Sequence, residues 1–261
     1  MQVSNEVVAH GVTERAFAVD VEGERVPGIL WRPEGAAAPT PLVLLGHGGT
    51  QDKRTANVLG LARRFVRHLG MSAVAIDAPG HGDRVVDEAQ ADASRRDLER
   101  RVRSTEGEAS APRPMPKDPE AYAGAHARAA REWSAVLDLL EADGVVLDGR
   151  VGYWGLSMGT MIGLPFVAGE PRVRCAVLGL ACLSGWPNEA VRASAAARLE
   201  VPVLFVLQWD DQLMTRQSGL DLFDALGSKD KAMHVFPGGH VDTPLYERDA
   251  YDAFFARHLN R

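Results

Sequence analysis

The sequence predicts an α/β fold: a mostly parallel central sheet with helices on both faces and an antiparallel N-terminal edge. Two patterns predict it. From Leu42 onward, short continuous aliphatic runs alternate with longer stretches of helical periodicity, as in a parallel sheet covered on both faces. Before Leu42, Arg15 to Val21 and Val26 to Trp31 alternate with a two-residue period across Glu22-Gly23-Glu24, the pattern of a hairpin. At 261 residues the chain is long enough for a single domain with a full core.

Each element follows from these periods. Leu42 to Leu45 reads as the first core strand and Arg54 to Leu69 as a helix, with Val58, Leu61, Ala62, Phe65 and Leu69 on one face. Ala73 to Ile76 is the next strand. Residues 83–117 then interrupt the rhythm; they are charged and end in Pro112, Pro114 and Pro116. An αβ connection usually takes about 2–6 residues, so this is an insertion, either a lid over the site or a surface excursion. Part of it, near Asp92 to Arg103, reads as a polar helix. Pro119 to Ala142 is a helix carrying Trp133, Val136, Leu137 and Leu140. The strand Val151 to Trp154, a helix from Met158 and the strand Cys175 to Leu180 follow. The strand Val203 to Leu207, a helix near Ser218 to Leu226, the strand Met233 to Phe236 and a helix to about Leu259 complete the chain.

Composition narrows the function classes. A formal net charge of −6 argues against nucleic acid as a partner, since phosphate binding needs concentrated Lys and Arg. The first ten residues have no basic region followed by an apolar run, so no signal peptide is expected. No stretch is apolar over the ~20 residues that a membrane span requires. The two cysteines, Cys175 and Cys182, have neither CxxC nor metal-ligand spacing. A cytoplasmic protein without metal or organic cofactor is expected; its oligomeric state cannot be read.

Chemistry enters with Gly155-Leu156-Ser157-Met158-Gly159, a G-x-S-x-G match. The motif is short, but it follows a strand and opens a helix, the context a nucleophile elbow requires. Glycines at 155 and 159 leave room for a close backbone crossing on a strained turn. The turn aims the N–H of Met158 at the reacting carbonyl from a helix N-terminus, where developing negative charge is favoured.

A serine needs a base and a group to orient that base. After Ser157 the histidines are His234, His240 and His258. His234 falls inside a strand and His258 in the terminal helix; His240 follows the last strand in the loop Phe236-Pro-Gly-Gly-His240, and is the expected base. The acid should follow the preceding strand, where Asp210 and Asp211 are adjacent. Neighbouring residues on an extended segment point opposite ways, and the spacing favours Asp211 over Asp210. Gly46-His47-Gly48-Gly49-Thr50 follows the first core strand; the second oxyanion donor is expected from the N–H of Gly49, or else of Thr50, with His47 a structural hydrogen-bonding residue.

These segments, HGGT at 47–50, GLSMG at 155–159, QWDDQLM at 208–214 and PGGH at 237–240, together with DAPGHG at 77–82, resemble the α/β-hydrolase superfamily. Within it the chain resembles bacterial serine esterases related to dienelactone hydrolases, which implies an α/β-hydrolase fold over residues 15–261 outside the insertion and the triad Ser157, Asp211 and His240. Dienelactone hydrolases proper carry a cysteine at the nucleophile, so their lactone specificity is not implied. Dehalogenases and epoxide hydrolases carry an aspartate there. Gln208 stands where the family usually has glycine, and the insertion follows the second core strand rather than the strand after the elbow. The implied activity is hydrolysis of a small to medium ester through an acyl-enzyme. Thioester, amide and C–C bond hydrolysis and acyl transfer use the same triad, and a non-catalytic receptor can share the fold. Trp186 and Trp209 are candidate pocket walls, Trp186 equally a core residue.

Overall fold

The computed structural model describes residues 2–103, 116 and 118–260. Its strands form one nine-stranded sheet in the order β1-β2-β3-β5-β4-β6-β7-β8-β9. The antiparallel edge consists of β1 (Gln2–Ala9), β2 (Val12–Val21) and β3 (Glu24–Pro33). β3 also runs antiparallel to β5 (Ser72–Ile76). The parallel part adds β4 (Thr40–Gly46), β6 (Val146–Gly155), β7 (Val173–Gly179), β8 (Val203–Gln208) and β9 (Lys231–Phe236). The expected hairpin and parallel sheet are therefore both present.

Two helix layers cover the sheet, as the aliphatic strands require. On one face α1 (Ala56–Leu69) and α7 (Glu247–Leu259) pack Phe65 and Phe255 against Val43, Leu45 and Val177. On the other lie α3 (Pro119–Ala142), α4 (Met158–Gly169), α5 (Glu189–Arg198) and α6 (Arg216–Ala225), around Leu42, Leu44, Tyr153 and Phe205. After β4 the chain moves outward to β5, then returns across β4 to β6. In open α/β sheets the crevice at such a reversal, at the carboxyl ends of the strands, is where ligands bind. Gly46 and Gly155 end β4 and β6 side by side, so the loops after them meet at that crevice.

Two elements escape the sequence periods for physical reasons. β1 is a solvent-facing edge strand whose Val3, Val7 and Val8 are exposed, so no buried face marks it. α5 buries only Ala195, Ala196 and Arg192. Arg192 acts as a buried connector, donating to the carbonyls of Cys182, Leu183, Pro187 and Trp186.

The described part of the insertion contains the polar helix α2 (Glu88–Val102), which begins four residues before the expected Asp92 and buries no residue. Its base is clamped. Asp77, fully buried, accepts from the backbone N–H of Lys53 and of Asp83, and Lys53 Nζ lies 2.5 Å from Asp77 and 2.8 Å from Asp83. Gly82, at φ +53°, has no room for a side chain, because a Cβ would lie 2.4 Å from the Asp77 carboxylate. Arg84 then makes a two-pronged pair with the buried Glu132 of α3, at 2.7 and 2.8 Å. The DAPGHG segment is thus the anchor from which the insertion departs. Residues 104–115 and 117, including the prolines at 112 and 114, lie outside the described residues.

Candidate active site

Ser157 ends the crossing from β6 into α4 at φ 58°, ψ −119°, a region that L-residues seldom occupy and that costs on the order of 1–3 kcal/mol. The surroundings hold it there. Its N–H donates to Gly179 O at 3.0 Å. Thr160 Oγ1 sits 2.7 Å from the carbonyl oxygens of both Gly155 and Gly179 and accepts from Gly179 N. Beneath the turn Tyr153 donates its hydroxyl to Gly159 O at 2.7 Å. The flanking glycines are sterically required: a Cβ at Gly159 would lie 2.5 Å from Gly46 O, and one at Gly155 2.8 Å from Gly159 O.

Three side chains from separate strand ends meet here. Ser157 Oγ lies 2.9 Å from His240 Nε2, and His240 Nδ1 lies 2.7 Å from Asp211 Oδ2. The other oxygen of Asp211 accepts from the N–H of Leu213 and Met214, at 2.7 and 2.9 Å. The carboxylate is therefore fixed as an acceptor. Nδ1–H donates to it, which leaves Nε2 with the lone pair that faces the serine hydroxyl. Asp210 points away, with a half-exposed side chain 3.6 Å from Arg216. Its orientation follows from the turn after β8, in which Asp210 N–H donates to Gly238 O at 3.0 Å.

Beside Ser157 lie the start of α4 and the loop that follows β4. Met158 is the first residue of α4, so its N–H has no acceptor within the helix and lies at the positive end of the dipole. Gly49 faces it across the crevice, since a Cβ built there would lie 4.0 Å from Met158 Cβ. Thr50 follows at φ +61°, and this left-handed residue turns the loop over the crevice. His47 supports it from below: Nε2 accepts from Ala78 N at 3.0 Å, and Nδ1–H donates to Gly48 O at 2.8 Å. The bond accepted at Nε2 requires the neutral ring, and burial lowers its pKa to about 4.

His126 on α3 is a second buried neutral histidine, packed against Tyr122 at 4.0 Å between ring centroids with the planes tilted by 45°, and likewise lowered to about 4 by desolvation. The consequence for stability has a definite sign. Below about pH 6.5 the unfolded chain protonates these rings while the folded chain does not. Their contribution is complete above pH 6.5 and is lost as pH falls towards about 4. His126→Phe should therefore flatten the stability curve in that window by on the order of 1 kcal/mol per pH unit. Urea midpoints of the two proteins at pH 7.0, 6.0 and 5.0 measure this; parallel curves contradict it.

A cavity of about 330 Å³ opens against Ser157 and His240, walled by Leu61, Trp154, Leu156, Leu180, Leu245 and Tyr251. The structure does not bring Trp186 or Trp209 to this wall. Trp186 is buried in the core and donates to Tyr122 Oη at 2.9 Å. Trp209 is 44% exposed, and the Arg216 guanidinium covers its ring at 3.8 Å. A second hollow, of about 560 Å³, separates residues 50–54 from the start of α2. The far end of α2 reaches the acid loop, where Val102 O accepts from Gln212 Nε2 at 3.4 Å. The described part of the insertion thus runs from residues 50–54 to Gln212.

Two glutamines brace the histidine loop, a role that the sequence alone does not indicate. Gln212 Oε1 accepts from the backbone N–H of His240 at 3.0 Å. With its amide oriented so that both ends are satisfied, the buried Gln208 donates to Phe236 O and Pro237 O and accepts from Thr243 N. Both lie in the QWDDQLM segment, and position in that segment around the acid is their signal. Among the described residues, no group of three His, Cys, Asp or Glu side chains could hold a metal ion, and no helix is long and apolar enough to cross a membrane.

The whole chain is similar to solved esterase structures. A cold-adapted esterase from an Arctic intertidal metagenomic library, solved with bound polyethylene glycol, is 35% identical, covering 99% of this chain and 100% of that one with a TM-score of 0.79. An acetyl xylan esterase from Paenibacillus sp. R4 is 19% identical over 99% of this chain and 88% of its own, with a TM-score of 0.69. A dienelactone hydrolase from Anabaena variabilis is 18% identical over 96% and 100%, with a TM-score of 0.62. No family model and no curated protein sequence matches the chain.

Proposed function

Because the chain belongs to the α/β-hydrolase superfamily, among esterases that resemble dienelactone hydrolases, we propose that it hydrolyses small to medium carboxylic esters through an acyl-enzyme on Ser157. The observation that carries this reading is the unbroken hydrogen-bonded line from Asp211 through His240 to Ser157 on a strained elbow. His240 Nε2 takes the hydroxyl proton as Oγ attacks the ester carbonyl, and Asp211 holds the imidazolium that forms. The N–H groups of Met158 and Gly49 stabilise the oxyanion of the tetrahedral intermediate, each worth about 3 kcal/mol in the transition state. His240 returns the proton to the departing alkoxide; water then attacks the acyl-enzyme by the same route and the carboxylic acid leaves.

The cavity of about 330 Å³ beside Ser157 is at the small end of ligand pockets, which span about 300–1,000 Å³, and this supports a small to medium ester. Helix α2, set between the oxyanion and acid loops, supports a lid or wall role for the insertion. One sheet containing every described strand supports a single hydrolase domain. Two buried free thiols, Cys175 and Cys182, suit a reducing compartment such as the cytoplasm. A fluorophosphonate probe tests the nucleophile: it should modify the wild-type chain at Ser157, located by peptide mass spectrometry, and leave Ser157→Ala unmodified. An inert wild-type serine would instead indicate a non-catalytic receptor.

A further inference from the structure

Gln212 connects three parts of the molecule that the proposed mechanism treats separately. It follows the acid, Asp211, in sequence. Its Oε1 accepts from the backbone N–H of His240 at 3.0 Å, and its Nε2 donates to Val102 O, in the last residue of α2, at 3.4 Å. Each end of the amide thus faces the partner its chemistry requires. The histidine loop rests directly on this amide, because a Cβ at Gly239 would lie 2.3 Å from Gln212 Nε2. The base is therefore held at two points: Asp211 fixes the ring through Nδ1, and Gln212 fixes the backbone from which the ring projects.

We propose that Gln212 is a positioning residue for the general base, setting the height of His240 over Ser157. The inference rests on the serine-hydrolase reading above. Its physical basis is the steep dependence of proton transfer on geometry: a misplacement of about 1 Å can cost on the order of 10² in rate, and a catalytic group must be held to within ~0.5 Å. The peptide N–H of His240 is buried with its residue, so losing its acceptor leaves an unsatisfied donor that the loop can satisfy only by moving. Occupancy of the ester site does not depend on this bond. The effect belongs in kcat.

Two variants separate positioning from packing. Gln212→Met keeps the length and volume of the side chain but removes both polar ends. Gln212→Glu keeps an acceptor for His240 N–H, loses the donor to Val102 O, and brings a negative charge near the imidazole. On a short p-nitrophenyl ester, Gln212→Met should lower kcat roughly tenfold or more, with KM within about twofold. Gln212→Glu should keep kcat within about threefold of wild type on the alkaline plateau, with its acid limb moved to higher pH because the new carboxylate favours the imidazolium. Three results would overturn the proposal: wild-type kcat in Gln212→Met, a loss confined to KM, or a Gln212→Glu enzyme as slow as Gln212→Met at every pH. Ser157→Ala run alongside keeps the two readings apart. If Ser157→Ala stays active, the serine mechanism has failed; if it is inactive and Gln212→Met is normal, only the role of Gln212 has.

Discussion

Ser157→Ala and His240→Ala should each lower kcat for a short p-nitrophenyl ester by about 10⁴–10⁶. The size of the effect follows from how little chemistry remains when either is absent. Without the base, the Ser157 hydroxyl keeps its proton and is a poor nucleophile. Without the hydroxyl, His240 can only activate water that no group holds in line with the carbonyl. What survives is the stabilisation expected of the proposed oxyanion donors, the N–H groups of Met158 and Gly49, plus binding in the cavity beside Ser157. Because the two residues act as one unit, the double variant should be about as slow as either single one. Steady-state kinetics with purified variants measures this. Multiplicative losses, or a His240→Ala enzyme within tenfold of wild type, would rule out the assigned roles. Thermal unfolding provides the control, since the elbow is held by Gly179, Thr160 and Tyr153 rather than by the serine hydroxyl.

Much of this site is legible in the sequence because its requirements are local. A residue at positive φ between a strand and a helix needs small neighbours, and Gly155 and Gly159 record that need in the sequence. The acid and base lie at the ends of consecutive strands, so the aliphatic runs that mark β8 and β9 also indicate where to look for them. Asp211 and Asp210 separate in the turn that follows β8, where Asp210 N–H is tied to Gly238 O and the next residue, Asp211, meets His240. What was not legible is long-range or polar. Gln212 touches Val102, 110 residues away in sequence, and no periodicity encodes such a pair. Arg84 and Glu132 resemble surface charges until folding buries them against each other. Trp186 and Trp209 show the reverse failure. An aromatic near the site in sequence can face the core, as Trp186 does towards Tyr122, or lie outside beneath Arg216, as Trp209 does. The cavity wall is instead built from α1, α7 and the strand ends, whose apolar residues are indistinguishable in sequence from ordinary core.

The two aspartates supply the sharpest contrast within the triad. Asp211→Asn should lower kcat by on the order of 10⁴ while Asp210→Asn stays within about twofold. The reasoning concerns the proton on His240. Asp211 Oδ1 is committed to the backbone N–H groups of Leu213 and Met214, so the orientation of the side chain is fixed and Oδ2 alone faces Nδ1. An asparagine held the same way would turn its NH₂ towards the ring. Nδ1 would have to accept rather than donate, and the proton would move to Nε2. Nε2 would then face the Ser157 hydroxyl already protonated and unable to take its proton. The fold survives, because the isosteric amide retains the oxygen that the backbone groups bind. The Asp210 carboxylate has no such connection: it is half-exposed beside Arg216 and accepts from Gly238 N at 3.4 Å. Asp211→Asn should regain rate as pH rises, when hydroxide replaces the missing base, whereas Asp210→Asn should follow the wild-type profile throughout. Equal losses in the two variants would mean that the carboxylates act by net charge near the histidine, which the orientation of Asp210 towards solvent contradicts.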